Sequence, residues 1–309
     1  MCFSAKSIEV ENAEKSILAV AIISCLLGLA EILFNMHVYQ IYKFYNVGYP
    51  VGVFSNINHQ ASLLALSLPL AVFYTHDFEK NRRRRDMSIT TFGLFGVIVL
   101  TLGLFLSQSV AGYFLLMLSM TLSVYYMNSS AKHSKLLLLP VIVLVCGLIL
   151  NAFIFDSQFQ AAIDKFALES ATGRSQVFET SVNTARSFGF FGAGPGSFDT
   201  VYRLFENEDT LSSVFVNQAH NEYLQLWIEF GILGLIWVIC GLVWFIRHAL
   251  LLARPKSKLS KQKKARIYAL CIFLVLIHSL ADYPLRTMAI GTIFAFLVIR
   301  LDQISLSNS

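Results

Sequence analysis

Between Lys135 and Asp156 the chain runs for about twenty residues, Leu136 to Phe155, without a charge. At ~1.5 Å per residue, a helix of that length crosses the ~30 Å hydrocarbon core of a bilayer. Lipid offers no partner to backbone N–H and C=O groups, so a stretch like this must satisfy them internally, as a helix does. Seven further apolar runs share this character: 16–35, 60–75, 89–106, 110–127, 223–246, 267–281 and 287–301. The 309 residues are 56% hydrophobic and only 14% charged, against about 25% charged in a soluble domain. A soluble all-helical core does not call for so many separate segments of membrane length. The expected fold is an all-α polytopic membrane protein of about eight transmembrane helices. The short runs, 60–75 and the last two, are expected to extend into flanking polar residues or to lie deep in the bundle.

The charges set the sidedness. Segments 1–15, 76–88, 128–135 and 247–266, with the tail from 300, hold most of the 24 lysines and arginines. Segments 36–59, 156–222 and 282–286 hold the few that remain, and the 107–109 break holds none. Excess basic residues mark cytoplasmic connections, so both termini are expected in the cytoplasm. Arg82 to Arg85 and Lys256 to Arg266 are anchors beside anionic headgroups rather than nucleic-acid contacts. No basic, apolar and small-residue succession marks a cleavable leader, so Ile17 to Phe34 is expected to stay in the membrane. The expected organisation is 1–155, about five N-terminal helices; 156–222, a large periplasmic loop; and 223–309, about three C-terminal helices. A loop of that length is too long for a mere connector. Of five cysteines, Cys25, Cys146, Cys240 and Cys271 sit in apolar runs and Cys2 at the terminus. None has zinc-ligand spacing, and no metal or cofactor is expected.

Three pieces of the outer loop carry chemistry. Thr172-Gly173-Arg174 comes early. Gly189-Phe190-Phe191-Gly192-Ala193-Gly194-Pro195-Gly196-Ser197-Phe198 follows. Gln218-Ala219-His220-Asn221-Glu222-Tyr223-Leu224-Gln225 leads straight into a span. A neutral imidazole at the mouth of a helix can accept a proton, and a hydroxyl attacking a good leaving group needs such a base; His220 is the candidate. The glycine run lacks the Gly-Lys-Ser/Thr ending of a nucleotide loop and lies on the side without ATP. Gly192, Gly194 and Gly196 are expected to form a tight turn that folds the loop onto the bundle. Arg174, Arg186 and Arg203 can each grip a phosphate or carboxylate through paired donors. Elsewhere, Asn56-Ile57-Asn58-His59-Gln60 marks the outer end of the second span. His278 and Asp282, one helical turn apart, mark that of the seventh, where polar groups at membrane depth imply partners or function.

The order Gly173-Arg174, Gly192 to Phe198, Ala219 to Gln225 and then Glu229-Phe230-Gly231-Ile232-Leu233-Gly234 resembles the O-antigen ligase and polymerase superfamily. Phe54 to Ala61 and His278 to Arg286 are similar to its earlier and closing helices, so the resemblance covers about 50 to 300. It implies a membrane-embedded, GT-C-like glycosyltransferase. Such an enzyme takes a glycan from an undecaprenyl-pyrophosphate carrier and gives it to a hydroxyl on a lipid A core, another glycan or a protein, at the outer face of the bacterial inner membrane. It implies His220 as base and Arg174 on the donor pyrophosphate; the candidate substrate-binding set is Arg174, Asn221, Arg286, Arg203 and Asn58. Partners are then the lipid-linked donor, the acceptor and membrane lipid, without nucleic acid. Two features depart from the pattern. Leu106 to Gly112 carries Val110 where many members have a second arginine, and members usually have more N-terminal helices. A polymerase of the same superfamily and a truncated, non-catalytic relative are therefore the alternatives. A transporter would instead place polar residues at mid-bilayer in several spans and show internal repeats.

Overall fold

The computed structural model describes residues 2–34, 50–76, 87–127, 147, 173–206, 216–253 and 259–306. These fold into helices α1 (Cys2–Leu33), α2 (Ile57–His76), α3 (Met87–Leu106), α4 (Val110–Met127), α5 (Arg174–Phe188), α6 (Phe198–Arg203), α7 (Glu222–Ala253), α8 (Leu259–His278) and α9 (Met288–Leu306), with a 3-10 turn at Pro284–Arg286. Five spans are long and apolar enough to cross a membrane: Glu9–Leu33, Ser88–Leu106, Val110–Met127, Glu222–Leu252 and Met288–Ser305. The chain is thus a helical membrane protein. The expected span 136–155, apart from residue 147, lies outside the described residues.

Helices α2 and α8, whose sequence runs were short, are the inner pair. Leu63, Leu64, Leu66, Leu68 and Leu70 of α2 and Ile267, Tyr268, Leu270, Ile272 and Leu274 of α8 are all buried. Their polar residues face protein rather than lipid, which is why hydropathy alone underrates them. Helix α2 packs against α1, α3, α4 and α8. Pro69 stands inside α2 and removes the bond that the Ala65 carbonyl would accept. Ser119 of α4 donates to that carbonyl at 3.1 Å, and the Cys271 thiol of α8 donates to the next, Leu66, at 3.1 Å. The proline thus ties three helices together at one level.

The two ends of the bundle differ chemically. At one end, Lys263 donates to the Met127 carbonyl and Arg266 to that of Leu252, placing cations on the exposed carbonyls of two helix C-termini. Lys264 pairs with buried Glu14 at 2.7 Å, which also accepts bonds from Tyr74 and Tyr268. The other end gathers the segments that the charge pattern grouped together: residues 50–58, 107–109, 216–222 and 279–287. The loop helices α5 and α6 have a small core of their own, Ala185, Phe198, Val201, Tyr202, Ala219, Leu224 and Ile228. That core extends past the expected boundary at 222, because the first turns of α7 belong to it as far as Ile228.

Candidate functional site

The site is built around Asp282, a wholly buried carboxylate just beyond α8. Its Oδ1 accepts the Tyr283 amide at 2.9 Å, and its Oδ2 accepts from Asn58 Nδ2 at 2.8 Å. His220 brings Nδ1 to 3.4 Å of Oδ1 and His59 brings Nε2 to 3.9 Å, both within ion-pair reach but without hydrogen-bond geometry. Tyr283 stands edge-on to both rings, with centroids 4.8 Å from His59 and 5.2 Å from His220. His278, one turn before Asp282, bonds Ser62 of α2 through Nδ1 and is near enough to weigh on the Asp282 charge. Burial alone would push the Asp282 carboxyl up. The close approach and charge of His220, with the charges of His59 and His278, outweigh burial and hold it well below the usual carboxylate range. Burial, reinforced by Asp282, raises the Tyr283 phenol. An ionised carboxylate in this place is kept by its partners.

His220 adopts φ +49°, a left-handed backbone that costs a residue with a side chain ~1–2 kcal/mol. The next residue shows why the chain turns there. Asn221 Oδ1 accepts the Leu224 amide at 3.0 Å, the N-cap arrangement for α7, while its Nδ2 donates to the Leu280 carbonyl at 3.1 Å. Glu222 bonds Ser279 Oγ at 2.8 Å and the Leu285 amide at 2.6 Å. The start of α7 is thereby sewn to the turn after α8, and His220 is carried to Asp282. Since Nδ1 faces the carboxylate, Nε2 is the ring nitrogen turned away from it.

Asn58 has both ends of its amide engaged, on Asp282 and on Ser109 Oγ at 2.7 Å. That makes it a holder of the carboxylate. Ser109 in turn accepts the Gly112 amide at 3.0 Å and caps α4. Before it, Gln108 is buried with φ +55°, and its Nε2 has no hydrogen-bond partner among the described residues. The break at 107–109 is therefore uncharged, polar and strained, and it abuts the Asp282 network; Val110 simply opens α4.

Arg286 donates to Glu229 Oε2 at 3.0 Å. Glu229 is buried and also accepts from Gln225 Nε2 at 3.0 Å, whose Oε1 holds the Ala219 amide at 3.1 Å. Arg286 and Glu222 form the polar end of an otherwise apolar cavity of about 630 Å³ between α7, α8 and α9, lined further along by Trp237, Gly241, Phe245 and Phe294. Arg203 stands exposed at the end of α6. Arg174 opens α5, and its side chain lies outside the described residues.

The glycine run docks on a break in α7. Gly231 has φ +60° and ψ −140°, which releases carbonyls from the helix. Ala193 N then bonds Ile228 O at 2.8 Å, Gly194 N bonds Glu229 O at 3.0 Å, and Ile232 N bonds Phe190 O at 3.1 Å. A Cβ on Gly192 would lie 2.4 Å from the Glu229 carbonyl, and one on Gly231 would lie 2.3 Å from that of Phe190. Both positions require glycine. Gly194 and Gly196 also have positive φ, with open space where a side chain would go.

From the sequence, Asp282 was expected only as a partner for His278, and His59, Gln225 and Glu229 stood within quoted motifs without a role of their own. Acidic residues in a sequence so poor in charge, next to a span end, were the signal available. Among the described residues no His, Cys, Asp and Glu cluster is arranged to hold a metal ion. Residues 95–239, which hold His220 and the glycine run, match the model of the O-antigen ligase family. That agrees with the resemblance carried by the motifs. No curated protein and no solved structure matches the chain.

Proposed function

We propose, from an O-antigen ligase segment set in a bacterial membrane protein, that the chain transfers a glycan from an undecaprenyl-pyrophosphate carrier to an acceptor hydroxyl. The reaction takes place at the outer face of the inner membrane, with eight crossings, both termini in the cytoplasm and 156–222 in the periplasm. One observation carries the reading: His220, in a strained backbone at the mouth of α7, presents Nδ1 to the buried carboxylate of Asp282 at 3.4 Å. A histidine oriented by a carboxylate is the pairing that a general base needs. The acceptor oxygen attacks the anomeric carbon as His220 Nε2 takes its proton. The bond from that carbon to the pyrophosphate oxygen breaks, and undecaprenyl pyrophosphate leaves with the electron pair. Asp282 stabilises the imidazolium that forms.

The leaving charge needs guanidinium groups. Arg174 is assigned to the pyrophosphate, with Arg286 beside it at the polar end of the apolar cavity. An arginine at the head of a lipid-sized groove supports a donor with a charged head and an isoprenoid tail. Asn58 and Asn221 position the base, and Arg203 is left for the glycan or acceptor. Ligase action is the first reading; a polymerase would use the same donor chemistry. The test is the purified chain in proteoliposomes with a lipid-pyrophosphate glycan and, separately, a lipid A core, free glycan or protein acceptor. Glycan appearing on the lipid A core supports the ligase, and glycan lengthened on its own carrier the polymerase. No transfer to any acceptor, with no donor hydrolysis, would contradict the transferase reading.

A further inference from the structure

The turn between α5 and α6 begins with two phenylalanines, Phe190 and Phe191, that the histidine site does not use. Phe191 is 87% exposed and Phe190 65%, their rings edge to face 4.8 Å apart. Solvent is a poor neighbour for such a pair. The backbone around them is nevertheless fixed. Gly192 N donates to Phe188 O at 2.7 Å, Trp227 Nε1 to Gly189 O at 3.1 Å, and Ile232 N to Phe190 O at 3.1 Å. Phe188, two residues earlier, turns the other way, edge-on to Phe205.

What the tip adjoins identifies its partner. Ile232 is the first residue past the Gly231 break and lies within the candidate span Glu222–Leu252. From there Leu233 and Ile236 are half-exposed or more along α7, an apolar strip open to acyl chains in a membrane. Since the Phe190 carbonyl is bonded to Ile232, the aromatic tip begins where that lipid-facing strip begins.

We propose that Phe190 and Phe191 form a wedge that enters the acyl-chain region of the leaflet at the site end of the bundle. The strap of residues 192–194 is then held at the lipid boundary from both sides, by α7 and by the bilayer. Beneath the strap is Glu229, which carries Arg286, so the wedge fixes the depth at which that arginine meets a ligand entering from the leaflet.

Because the spans retain the chain in the membrane with or without the tip, the test reads the tip itself. The full chain is reconstituted in bilayers of phosphatidylethanolamine and phosphatidylglycerol, as wild type, Phe191→Trp and Phe190→Trp. Trp227, Trp237 and Trp244 give a background common to all three, and the difference emission reports the added indole. An indole replaces a ring already in open space, and a melting temperature equal to wild type verifies the fold. Quenching of the added emission several-fold stronger by lipids brominated on the acyl chain than by aqueous acrylamide is the expected result. Quenching by acrylamide but not by brominated lipid would place the tip in water. Quenching by neither would place it under another protein surface. Either outcome overturns the proposal.

Discussion

Replacing Asp282 by asparagine keeps its shape and removes its charge, so it isolates what the carboxylate does for His220. At 3.4 Å and an effective dielectric constant near 20, Coulomb's law gives about 5 kcal/mol between unit charges. His220 is a third exposed, so solvent screening reduces that to ~2–3 kcal/mol. The imidazolium that forms during proton transfer loses this support, and kcat is expected to fall about a hundredfold with little change in KM. The amide also has a single acceptor for two donors, Tyr283 N–H and Asn58 Nδ2, which costs about 1–3 kcal/mol of stability. Asp282→Asn combined with Asn58→Asp restores the donor–acceptor match but leaves a neutral group facing His220, so it is expected to recover melting temperature and not rate. Acid titration gives a second readout. The Asp282 carboxyl lies below its ordinary range when folded. Its stabilisation is therefore complete above the ordinary carboxylate pKa and lost as pH falls through the lowered one, and Asp282→Asn removes that part of the acid slope. Transfer from a lipid-pyrophosphate donor in nanodiscs, with thermal melting alongside, measures both quantities. A wild-type rate in Asp282→Asn, or recovery of rate in the double variant, would refute the electrostatic role.

Three further expectations follow from the surrounding packing. Arg286→Ala leaves buried Glu229 without its cation, so it is expected to cost about 3–5 kcal/mol of stability; adding Glu229→Gln should restore melting while donor binding stays weak, as donor titration would show. Gly231→Ala forces a Cβ against the Phe190 carbonyl at a left-handed position, a loss of more than ~2 kcal/mol; hydrogen exchange should show residues 188–194 opening, whereas Gly194→Ala, with no clash, is milder. Gly241 lines the apolar cavity and has open space beside it, so Gly241→Phe is expected to raise KM about tenfold for a donor with a full-length lipid tail and to leave a short-tailed donor unaffected, a difference steady-state kinetics would detect.

Much of the bundle was legible in the sequence, because lipid imposes a length and an apolar character on each helix that single residues cannot disguise. Runs 89–106 and 110–127 reappear nearly unchanged as α3 and α4. Run 267–281 did not, since α8 starts at Leu259 and takes in the basic residues that reach the carbonyl ends of neighbouring helices. His220 was legible as a polar group at a span mouth, and the grouping of 107–109 with 282–286 followed from charge alone. What the sequence could not show is partnership across long separations. Asn58 and Asp282 are joined by one bond over 224 positions, and nothing local to Asn58 reveals that its amide is spent holding a carboxylate. The Gly231 break was hidden for a similar reason, because a glycine inside an apolar run is unremarkable until the Phe190 carbonyl lies against it.

The central claim is that His220 takes the acceptor's proton during glycan transfer from a lipid pyrophosphate. Its most direct test is the single-turnover rate of His220→Ala against wild type with a labelled lipid-pyrophosphate glycan in proteoliposomes, with insertion and melting temperature measured on the same preparations. The expected result is an equally stable, fully inserted protein that binds the donor and transfers more slowly by a factor of ~10² to 10⁴, the range that a positioned base supplies. Transfer at the wild-type rate by that variant would contradict it.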